Sequence, residues 1–353
     1  MAKSDLFKAK KAKKDEFYTQ YHDIEKEMSA YLEYDPKVFH NKTVLLPCDD
    51  PEWSNFTKYF AQNFQRLGLK KLISTSYAVE SKNLKIGYQP TLFEINAPQY
   101  DVNKSRIKGK IFTLSQDLTG DGKIDINDLK WTYLNDDGDF RSQEIQKLRD
   151  EADIIVTNPP FSLFRDFLTW ITKADKQFVI IGNINAITYK EVFPLIKDNK
   201  MWTGSRFNQR INGKNMTFFV PDDYNLSGSE VEVNNEGKKL ISVAGTGWFT
   251  NLNHGRRHQP LVLMSMEDNI KFSKHKVIRG KEYQRYDNYD AIEVPFTDAI
   301  PSDYKGVMGV PITFLNKYNP NQFEIVKFRK GNDGKDLSIN GKCPYFRILI
   351  KHK

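Results

Sequence analysis

The sequence predicts an α/β fold built on an open, twisted and mostly parallel β-sheet, followed by a less regular β-rich portion. Two observations carry this prediction. Short apolar runs alternate with amphipathic helical stretches over residues 17–200, which is typical of a parallel sheet. Beyond residue 200, strand-like segments and turn residues replace that alternation. A chain of 353 residues forms one large domain or two medium ones.

The first predicted elements follow a β-α-β order. Helical spacing of apolar residues begins at Phe17, and the apolar run 43–47 predicts a buried strand. Asp50 and Pro51 have the types that favour an N-cap and a first-turn proline, so we expect the next helix to open there. Residues 71–77 predict the following strand, which completes the unit.

The alternation continues in the middle of the chain. Ser142 is expected to cap a helix, and residues 153–157 and 177–182 have the pattern of buried strands. A capping box starting at Thr188 predicts a further helix, kinked by Pro194. Later strands are expected within 216–220, 240–243, 248–252 and 291–296.

Composition favours a soluble globular protein, and the charge is compatible with a polyanionic partner. The formal net charge is +8, and five lysines near the N-terminus can contact phosphates or form a solvated tail: Lys8, Lys10, Lys11, Lys13 and Lys14. Cys48 and Cys343 form neither a disulfide framework nor a zinc cluster, which favours a reducing cytoplasm. No apolar run approaches the ~18 residues of a membrane span, and the N-terminus does not resemble a secretory signal.

Asn158-Pro159-Pro160-Phe161 is the segment most informative about chemistry. The Asn158 side-chain oxygen and the Pro159 carbonyl can accept hydrogen bonds from an exocyclic amino group, whose nitrogen becomes tetrahedral as it attacks a methyl donor. The prolines stiffen the loop, and Phe161 offers a flat face to a base that has left the duplex. The segment can also be a plain strand terminator, but the strand before it and the helix after it favour a catalytic loop for adenine N6 methylation.

Several neighbouring motifs extend this interpretation over most of the chain. They occupy residues 15–20, 48–51, 138–142, 157–165, 181–190, 248–251, 254–258 and 285–295. On these segments the sequence resembles the EcoRI family of adenine-specific DNA modification methyltransferases, from about Lys14 almost to the C-terminus. The resemblance implies a sheet of the S-adenosylmethionine-dependent methyltransferase type, and S-adenosylmethionine as the cofactor.

The resemblance also implies roles for particular residues. Tyr18 and Thr19 resemble the element that holds the methionine part of the cofactor, and Asp139 with Phe140 resembles the pair that contacts its adenine. For that pair, an ordinary polar turn is an equal alternative. Residues 158–161 would be the catalytic loop.

Aspartates follow the first predicted strand in place of the glycine-rich loop of the wider class. Asp49 and Asp50 are both candidates for cofactor contacts, and Asp50 alternatively serves only as an N-cap. Trp248 or Phe249 would supply a second aromatic face around the base, with core packing as the alternative.

Three regions follow from this interpretation. Residues 1–16 would be a basic arm, 17–200 the cofactor-binding and catalytic core, and 201–353 the remaining strands with a DNA-recognition region. Arg206, Arg210, Arg256 and Arg257 are candidates for phosphate or guanine contacts, or are solvated surface residues.

A second motif matches a calcium loop. Its acidic or hydroxyl positions are Asp117, Thr119, Asp121, Asp125 and Asp128, with glycine at the sixth position. Because a strand and not a helix precedes it, a surface turn is the alternative to a structural calcium site.

The sequence therefore predicts a cytoplasmic, site-specific adenine N6 methyltransferase acting on double-stranded DNA, with a cognate restriction endonuclease as a functional partner. Methylation of RNA or of protein glutamine by the same loop is the first alternative. A catalytically silent DNA-binding protein is the second, and the intact 158–161 loop argues against it.

Overall fold

A computed structural model of the protein describes residues 18–49, 54–78, 95–207, 216–220, 231–234, 237–329, 337–343 and 346–353. The strands in this part of the chain are β1 (Tyr18–Thr19), β2 (Thr43–Leu46), β3 (Lys71–Ser76), β4 (Lys110–Leu114), β5 (Lys130–Tyr133), β6 (Ile154–Thr157), β7 (Gln177–Asn183), β8 (Trp202–Thr203), β9 (Thr217–Phe219), β10 (Val231–Val233), β11 (Lys239–Ser242), β12 (Thr246–Thr250), β13 (Ala291–Glu293), β14 (Val307–Pro311), β15 (Phe323–Arg329) and β16 (Arg347–His352). The helices are α1 (Tyr21–Tyr34), α2 (Asn55–Gln62), α3 (Phe64–Leu67), α4 (Val102–Ile107), α5 (Gln143–Glu151), α6 (Phe164–Lys173), α7 (Phe193–Lys197) and α8 (Met266–Phe272).

The chain divides into two compact units. The first comprises residues 1–184 and 206–252, and the second comprises 185–205 and 253–353. The basic arm 1–16 lies outside the described residues.

The main sheet of the first unit has a parallel centre and antiparallel sides. Seven strands of this unit follow the order β5-β4-β3-β2-β6-β7-β12. The pairs β2–β3, β2–β6 and β6–β7 are parallel, whereas β3–β4, β4–β5 and β7–β12 are antiparallel. The predicted α/β class is confirmed. The sheet is mixed and not mostly parallel, because the antiparallel pairs are as many as the parallel ones among these strands.

Both faces of this sheet are buried, which explains why its central strands are continuous apolar runs. Val44 and Leu46 of β2 share a hydrophobic cluster with residues of α1 and α2. On the opposite face, the Phe164 ring of α6 lies 5.4 Å from the Phe249 ring of β12, measured between centroids. Gly182 lets Phe164 approach the backbone closely, since a Cβ added there would lie 2.3 Å from that ring.

Two predicted helix starts are wrong. Helix α2 begins at Asn55 with Ser54 as its N-cap, whose hydroxyl accepts from the Phe56 amide, so Asp50 does not cap it. Asp50 and Pro51 themselves lie outside the described residues. The capping box at Thr188 is also not formed: residues 184–188 make a 3₁₀ turn, and α7 starts later with Pro194 in its first turn. A first-turn proline is favourable because its missing N–H has no partner there, so no kink results.

A second sheet in the first unit consists of antiparallel strands in the order β1-β9-β11-β10. Thr19 of β1 is opposite Phe218 of β9, and Gln20 then starts the turn into α1. The pairing of β1 with β9 joins residues about 200 positions apart along the chain. It therefore fixes Tyr18 and Thr19, which precede α1, against the later strand β9 of the same unit.

The second unit contains its own sheet, in the order β13-β14-β16-β15. A largely buried ion pair lies within it: Arg347 Nη2 is 2.5 Å from Glu293 Oε1, and the Tyr286 hydroxyl also donates to Glu293. Burial of the charges is tolerated because the carboxylate accepts several hydrogen bonds. The β-rich character predicted beyond residue 200 is confirmed.

Candidate active site

The parallel centre of the main sheet contains a topological switch point. Strand β2 lies between β3 and β6, so the chain leaves β2 first towards one neighbour and later returns on the other side. In open α/β sheets, ligands bind outside the carboxyl ends of the strands at such a point. Asp49 follows β2, and Asn158 follows β6 directly. Two of the predicted site segments therefore meet where the topology favours a ligand crevice.

Asp49 connects these segments through its buried carboxylate, which is 6% exposed. The Thr157 hydroxyl donates to Asp49 Oδ2 at 2.5 Å, and the Ser54 hydroxyl donates to Oδ1 at 2.6 Å. The Ser74 hydroxyl of β3 donates to the Asp49 carbonyl. Asp49 thus joins the ends of β2 and β6 to the start of α2, and it fixes the residue that precedes Asn158.

The 158–161 loop leaves β6 at this edge. Asn158 and Pro160 are half-buried, and Pro159 is buried. Phe161 is 3% exposed and belongs to the same hydrophobic cluster as Phe56 and Trp248. The Leu163 amide donates to the Pro160 carbonyl at 2.9 Å, so a 3₁₀ turn follows the loop. The Phe161 ring is packed into the core, whereas the sequence predicted an open face for a base.

Thr19 lies beside the N-terminus of α2. Asn55 Nδ2 donates to the Thr19 carbonyl at 2.8 Å, and Asn55 directly follows Ser54, the residue bound to Asp49. The Thr19 hydroxyl is buried and has no hydrogen-bond partner in the described part of the chain. A buried polar atom without a partner is costly, so this hydroxyl beside a positive helix end suits a ligand with acceptor groups.

The loop after β5 brings Asp139 to the end of β3. The Ala78 amide donates to the Asp137 carbonyl at 2.8 Å, and the Phe140 amide donates to the Tyr77 hydroxyl at 3.4 Å. Gly138 permits this approach: its φ is +84°, and a Cβ there would lie 2.4 Å from the Ser76 carbonyl oxygen. The segment containing Asp139 therefore lies at the same edge of the sheet as Asp49.

The side chains of Asp139 and Phe140 have partners inside the protein. Although burial raises it, the hydrogen bonds and charge of Arg141 hold the pKa of Asp139 below its ordinary value. The Phe140 ring is fully buried, 5.1 Å from the Phe167 ring and 5.6 Å from Trp170 between centroids. This packing favours a core role for the Phe140 ring.

Trp248 and Phe249 lie on β12 and point to opposite faces of the sheet. Trp248 is 1% exposed and contacts Phe56 edge-on, with centroids 5.9 Å apart. Phe249 is fully buried against Phe164 and Phe207. The burial of both rings favours core packing, the alternative noted from the sequence, over contact with a base.

The 117–128 loop does not gather its carboxylates around a cation site. Asp128 is buried, and its two oxygens accept from the amides of Leu118, Thr119 and Asp125. Asp117 likewise accepts from the Gly120 and Gly122 amides. No group of three or more metal-ligating side chains occurs in the described ranges, which include the whole of this loop. The predicted calcium ligands, including Thr119, Asp121 and Asp125, thus form a surface turn closed by backbone hydrogen bonds.

Two of the candidate arginines bind other parts of the second unit. Arg256 Nη1 donates to the Ser205 carbonyl at 2.7 Å. The Arg257 guanidinium lies 3.7 Å from the centroid of the Trp202 ring and donates to Asn199. These contacts hold the 199–205 segment. Arg210 lies outside the described residues.

Sequence reasoning missed Ser54, Ser74 and Thr157. Each is a small hydroxyl residue in or beside an apolar run, which has no distinctive signal of its own. Ser54 was detectable as an alternative N-cap, because it directly precedes the amphipathic helix α2. The partnership of Thr157 with Asp49 joins positions 108 residues apart, so only the fold reveals it.

The chain places an Asn-Pro-Pro-Phe loop at the switch point of an α/β sheet, which is the arrangement that the sequence predicted for an amino-group methyltransferase. The family model "Adenine-specific methyltransferase EcoRI" matches residues 5–353. The chain therefore belongs to the EcoRI family of adenine-specific methyltransferases.

Curated relatives match the chain over almost its full length. It is 49% identical to the Type II methyltransferase M.EcoRI of Escherichia coli over 348 residues, which cover 99% of this chain and 96% of that protein. Two mycoplasma relatives are the Type II methyltransferases M.MgeORF184P of Mycoplasma genitalium and M.MpnI of Mycoplasma pneumoniae. They are 36% and 32% identical to it, each over 98% of this chain and 97% of the relative. No solved structure matches the chain.

None of the helices in the described residues is long and apolar enough to cross a membrane.

Proposed function

We propose that this protein is a site-specific DNA methyltransferase of a restriction-modification system that methylates N6 of adenine in duplex DNA. One observation carries the proposal: the Asn158 loop lies at the switch point of the sheet and is tied to Asp49 through Thr157. Family membership and the names of the Type II relatives support the reaction class.

S-adenosylmethionine, when bound, supplies a methyl group activated by its positively charged sulfonium. The unsatisfied Thr19 hydroxyl and the start of α2 fit the polar end of such a molecule. The Asp139 segment, at the end of β3, fits the adenosine end. In this proposal Asp49 acts mainly as the anchor between these elements, because Ser54 and Thr157 both donate to its carboxylate.

The chain's own contribution to the reaction is to bind and orient the adenine amino group. The Asn158 side-chain oxygen and the Pro159 carbonyl accept hydrogen bonds from its two N–H groups, which directs the nitrogen lone pair towards the methyl donor. The base must leave the duplex to reach the loop, and holding the two reactants in line lowers the barrier. No carboxylate base is needed, because the extra proton can leave after the methyl group has transferred.

Phe161 remains the proposed aromatic contact for the extruded base. Since its ring is 3% exposed, contact requires the ring to turn out of the core when the base enters. Alternatively, the ring supports the loop from below. Phe161→Leu separates these roles, because leucine keeps most of the apolar volume but has no aromatic face: loss of turnover with little change in unfolding favours contact with the base, and retained turnover favours support.

The alternative substrates are RNA and protein glutamine, which similar loops also methylate. An adenine-specific family does not favour them. Transfer of tritiated methyl groups to DNA, RNA and protein in parallel would distinguish the three. A cognate endonuclease and a cytoplasmic location remain predictions, as does a DNA-recognition role for the region beyond residue 200.

Asn158→Ala is the sharpest test of the mechanism. We expect the rate of methyl transfer to fall by about a thousandfold, because the change removes one of the two acceptors at the reacting nitrogen. Binding of S-adenosylhomocysteine, measured by calorimetry, should be retained. Asn103→Ala, at an exposed position of α4, is the matched control and should leave turnover unchanged. Full activity of Asn158→Ala would remove this residue from the mechanism.

A further inference from the structure

The last turn of α8 and the residues that follow it, 270–281, form a closed segment of the second unit, which we call the 270–281 loop. The Gly280 amide donates to the Ile270 carbonyl at 2.8 Å and closes it. The amides of Ile278 and Arg279 both donate to the His275 carbonyl at 2.9 Å. The backbone of the loop is therefore fixed by its own hydrogen bonds.

The loop is also anchored from below. Ser273 and Ile278 are 2% and 4% exposed. The His275 ring stacks on Phe296 with centroids 3.7 Å apart and an interplanar angle of 2°, and its Nε2 lies 2.8 Å from Asp298 Oδ1. Because these residues face inwards, the remaining side chains of the loop are presented outwards on a rigid base.

The outward side chains include three cations without an ion-pair partner. Residues 270–281 contain five lysines and arginines and no acidic residue. Lys271 is paired with Glu267, and Lys274 with Asp298. Three others are exposed and form no ion pair with any residue that the structure describes: Lys276, Arg279 and Lys281. An unneutralised cluster of this kind attracts a polyanion.

Large apolar side chains are exposed among these cations. Phe272 is 69% exposed and Val277 is 55% exposed. The Phe272 ring contributes little to the core of the unit, so it is available to contact a partner. Aromatic rings next to cations are the combination with which proteins contact nucleotides.

We propose that the 270–281 loop binds the backbone of duplex DNA, with its three unpaired cations at phosphates and with Phe272 and Val277 against sugars and groove edges. The proposal rests on DNA as the substrate. A second copy of the chain fits this loop less well, since a two-fold contact would bring identical cations face to face. The loop therefore contributes affinity independent of sequence, whereas recognition of the target adenine belongs to the 158–161 loop.

The test measures binding of a fluorescent random-sequence duplex at several salt concentrations. In the triple variant Lys276→Gln, Arg279→Gln and Lys281→Gln, the slope of log K against log salt should fall by about 2.7, because each phosphate contact contributes about 0.9. The matched control replaces three exposed lysines of the same unit that form no ion pair with a described residue: Lys305, Lys317 and Lys327. An unchanged slope, or an equal fall in the control, overturns the proposal.

The apolar part of the loop is tested separately with Phe272→Ala. Its affinity for the same duplex should fall by about tenfold with the salt slope unchanged, because apolar contacts with sugars and groove edges do not release counterions. Thermal unfolding should match that of the parent protein, since the ring is exposed. Unaltered affinity would contradict the apolar contact.

Sedimentation analysis of the triple variant and of Phe272→Ala tests whether the loop binds a second copy of the chain instead of DNA. If these changes convert a dimer to a monomer, the loop is a subunit interface and the proposal is overturned. If the unaltered protein methylates no duplex at all, the proposed function is wrong. If it methylates DNA but the loop variants bind DNA as the parent does, only the proposal about the loop is wrong.

Discussion

At the scale of single residues, the candidate site depends on one buried carboxylate. Asp49 accepts hydrogen bonds from Ser54 and Thr157, and its carbonyl accepts from Ser74. Hydrogen bonds to a charged group contribute about 1.5–3 kcal/mol each. The position of Asn158 is therefore determined by its neighbour Thr157 as much as by the prolines that follow it.

Thr157→Val should slow catalysis without removing any group that contacts the substrate. The variant keeps the shape of the side chain but leaves Asp49 with one donor fewer, so we expect about 2 kcal/mol less stability. We also expect kcat to fall by about 10- to 100-fold, because small displacements of reacting groups are costly, while KM for DNA changes little. Steady-state kinetics and urea unfolding would measure both effects.

Thr157→Ser is the control for this prediction, because it restores the hydroxyl. It should recover most of the lost kcat. If the serine variant were as slow as the valine variant, packing and not the hydrogen bond to Asp49 would be responsible.

His254 predicts a dependence of stability on pH. Burial, together with the neighbouring charges of Arg256 and Arg257, lowers the pKa of His254 to about 4, and its Nε2 donates to the Thr203 carbonyl. In the unfolded chain histidine binds a proton near pH 6.5, whereas the folded protein resists protonation until about pH 4. The free energy of unfolding should therefore fall as the pH is lowered from 6.5 to 4, by at most about 3 kcal/mol from this residue.

The measurement is urea unfolding between pH 7 and pH 4, compared with His254→Gln. The glutamine variant can still donate to the Thr203 carbonyl but does not titrate, so its loss of stability over this interval should be smaller. The exposed His40→Gln variant should follow the parent protein. Identical pH profiles for His254→Gln and the parent would contradict the assignment.

At the scale of elements, α6 packs on β7 and β12 through a position that only glycine can fill. A Cβ at Gly182 would lie 2.3 Å from the Phe164 ring, closer than real contacts allow. The start of α6, which follows the catalytic loop directly, is therefore fixed by a residue in the middle of β7. This contact links the packing of the sheet to the placement of the loop.

Gly182→Ala should destabilise the first unit by about 1–3 kcal/mol, because the ring or the strand must move. Gly255→Ala is the control, since nothing lies within 4 Å of a Cβ there and its backbone is not left-handed. Adding Phe164→Leu to Gly182→Ala should recover part of the loss. Thermal unfolding of the four proteins measures this coupling, and an unaffected Gly182→Ala variant would contradict it.

The same elements indicate what sequence alone could predict. Strands β2, β6 and β7 were evident because a strand buried on both faces is a nearly uninterrupted apolar run. The starts of α2 and α7 were not evident from the sequence, because several polar residues near each start could serve as the N-cap. Tertiary packing decides among them. The calcium motif was ambiguous for a related reason: the same carboxylates satisfy backbone amides as readily as they bind a cation, and the described contacts favour the surface turn.

At the scale of the whole molecule, the class of enzyme was predictable and the inner architecture of its site was not. Asn158 to Phe161 is a local motif, so it is visible in the sequence. The contacts of Thr157 with Asp49 and of Asn55 with Thr19 cross 108 and 36 positions, respectively. Such pairs are created by the sheet order and leave no trace in the spacing of residues.

The boundaries of the two units have a consequence for protein engineering. The chain passes from one unit to the other after residues 184, 205 and 252, and β9, β11 and β12 of the first unit come from the stretch between the last two crossings. A truncation near residue 200 would thus remove the strand that pairs with β7. Exchanging the second unit between relatives therefore requires three junctions, and a simple exchange of C-terminal halves would build the catalytic sheet from strands of two different proteins.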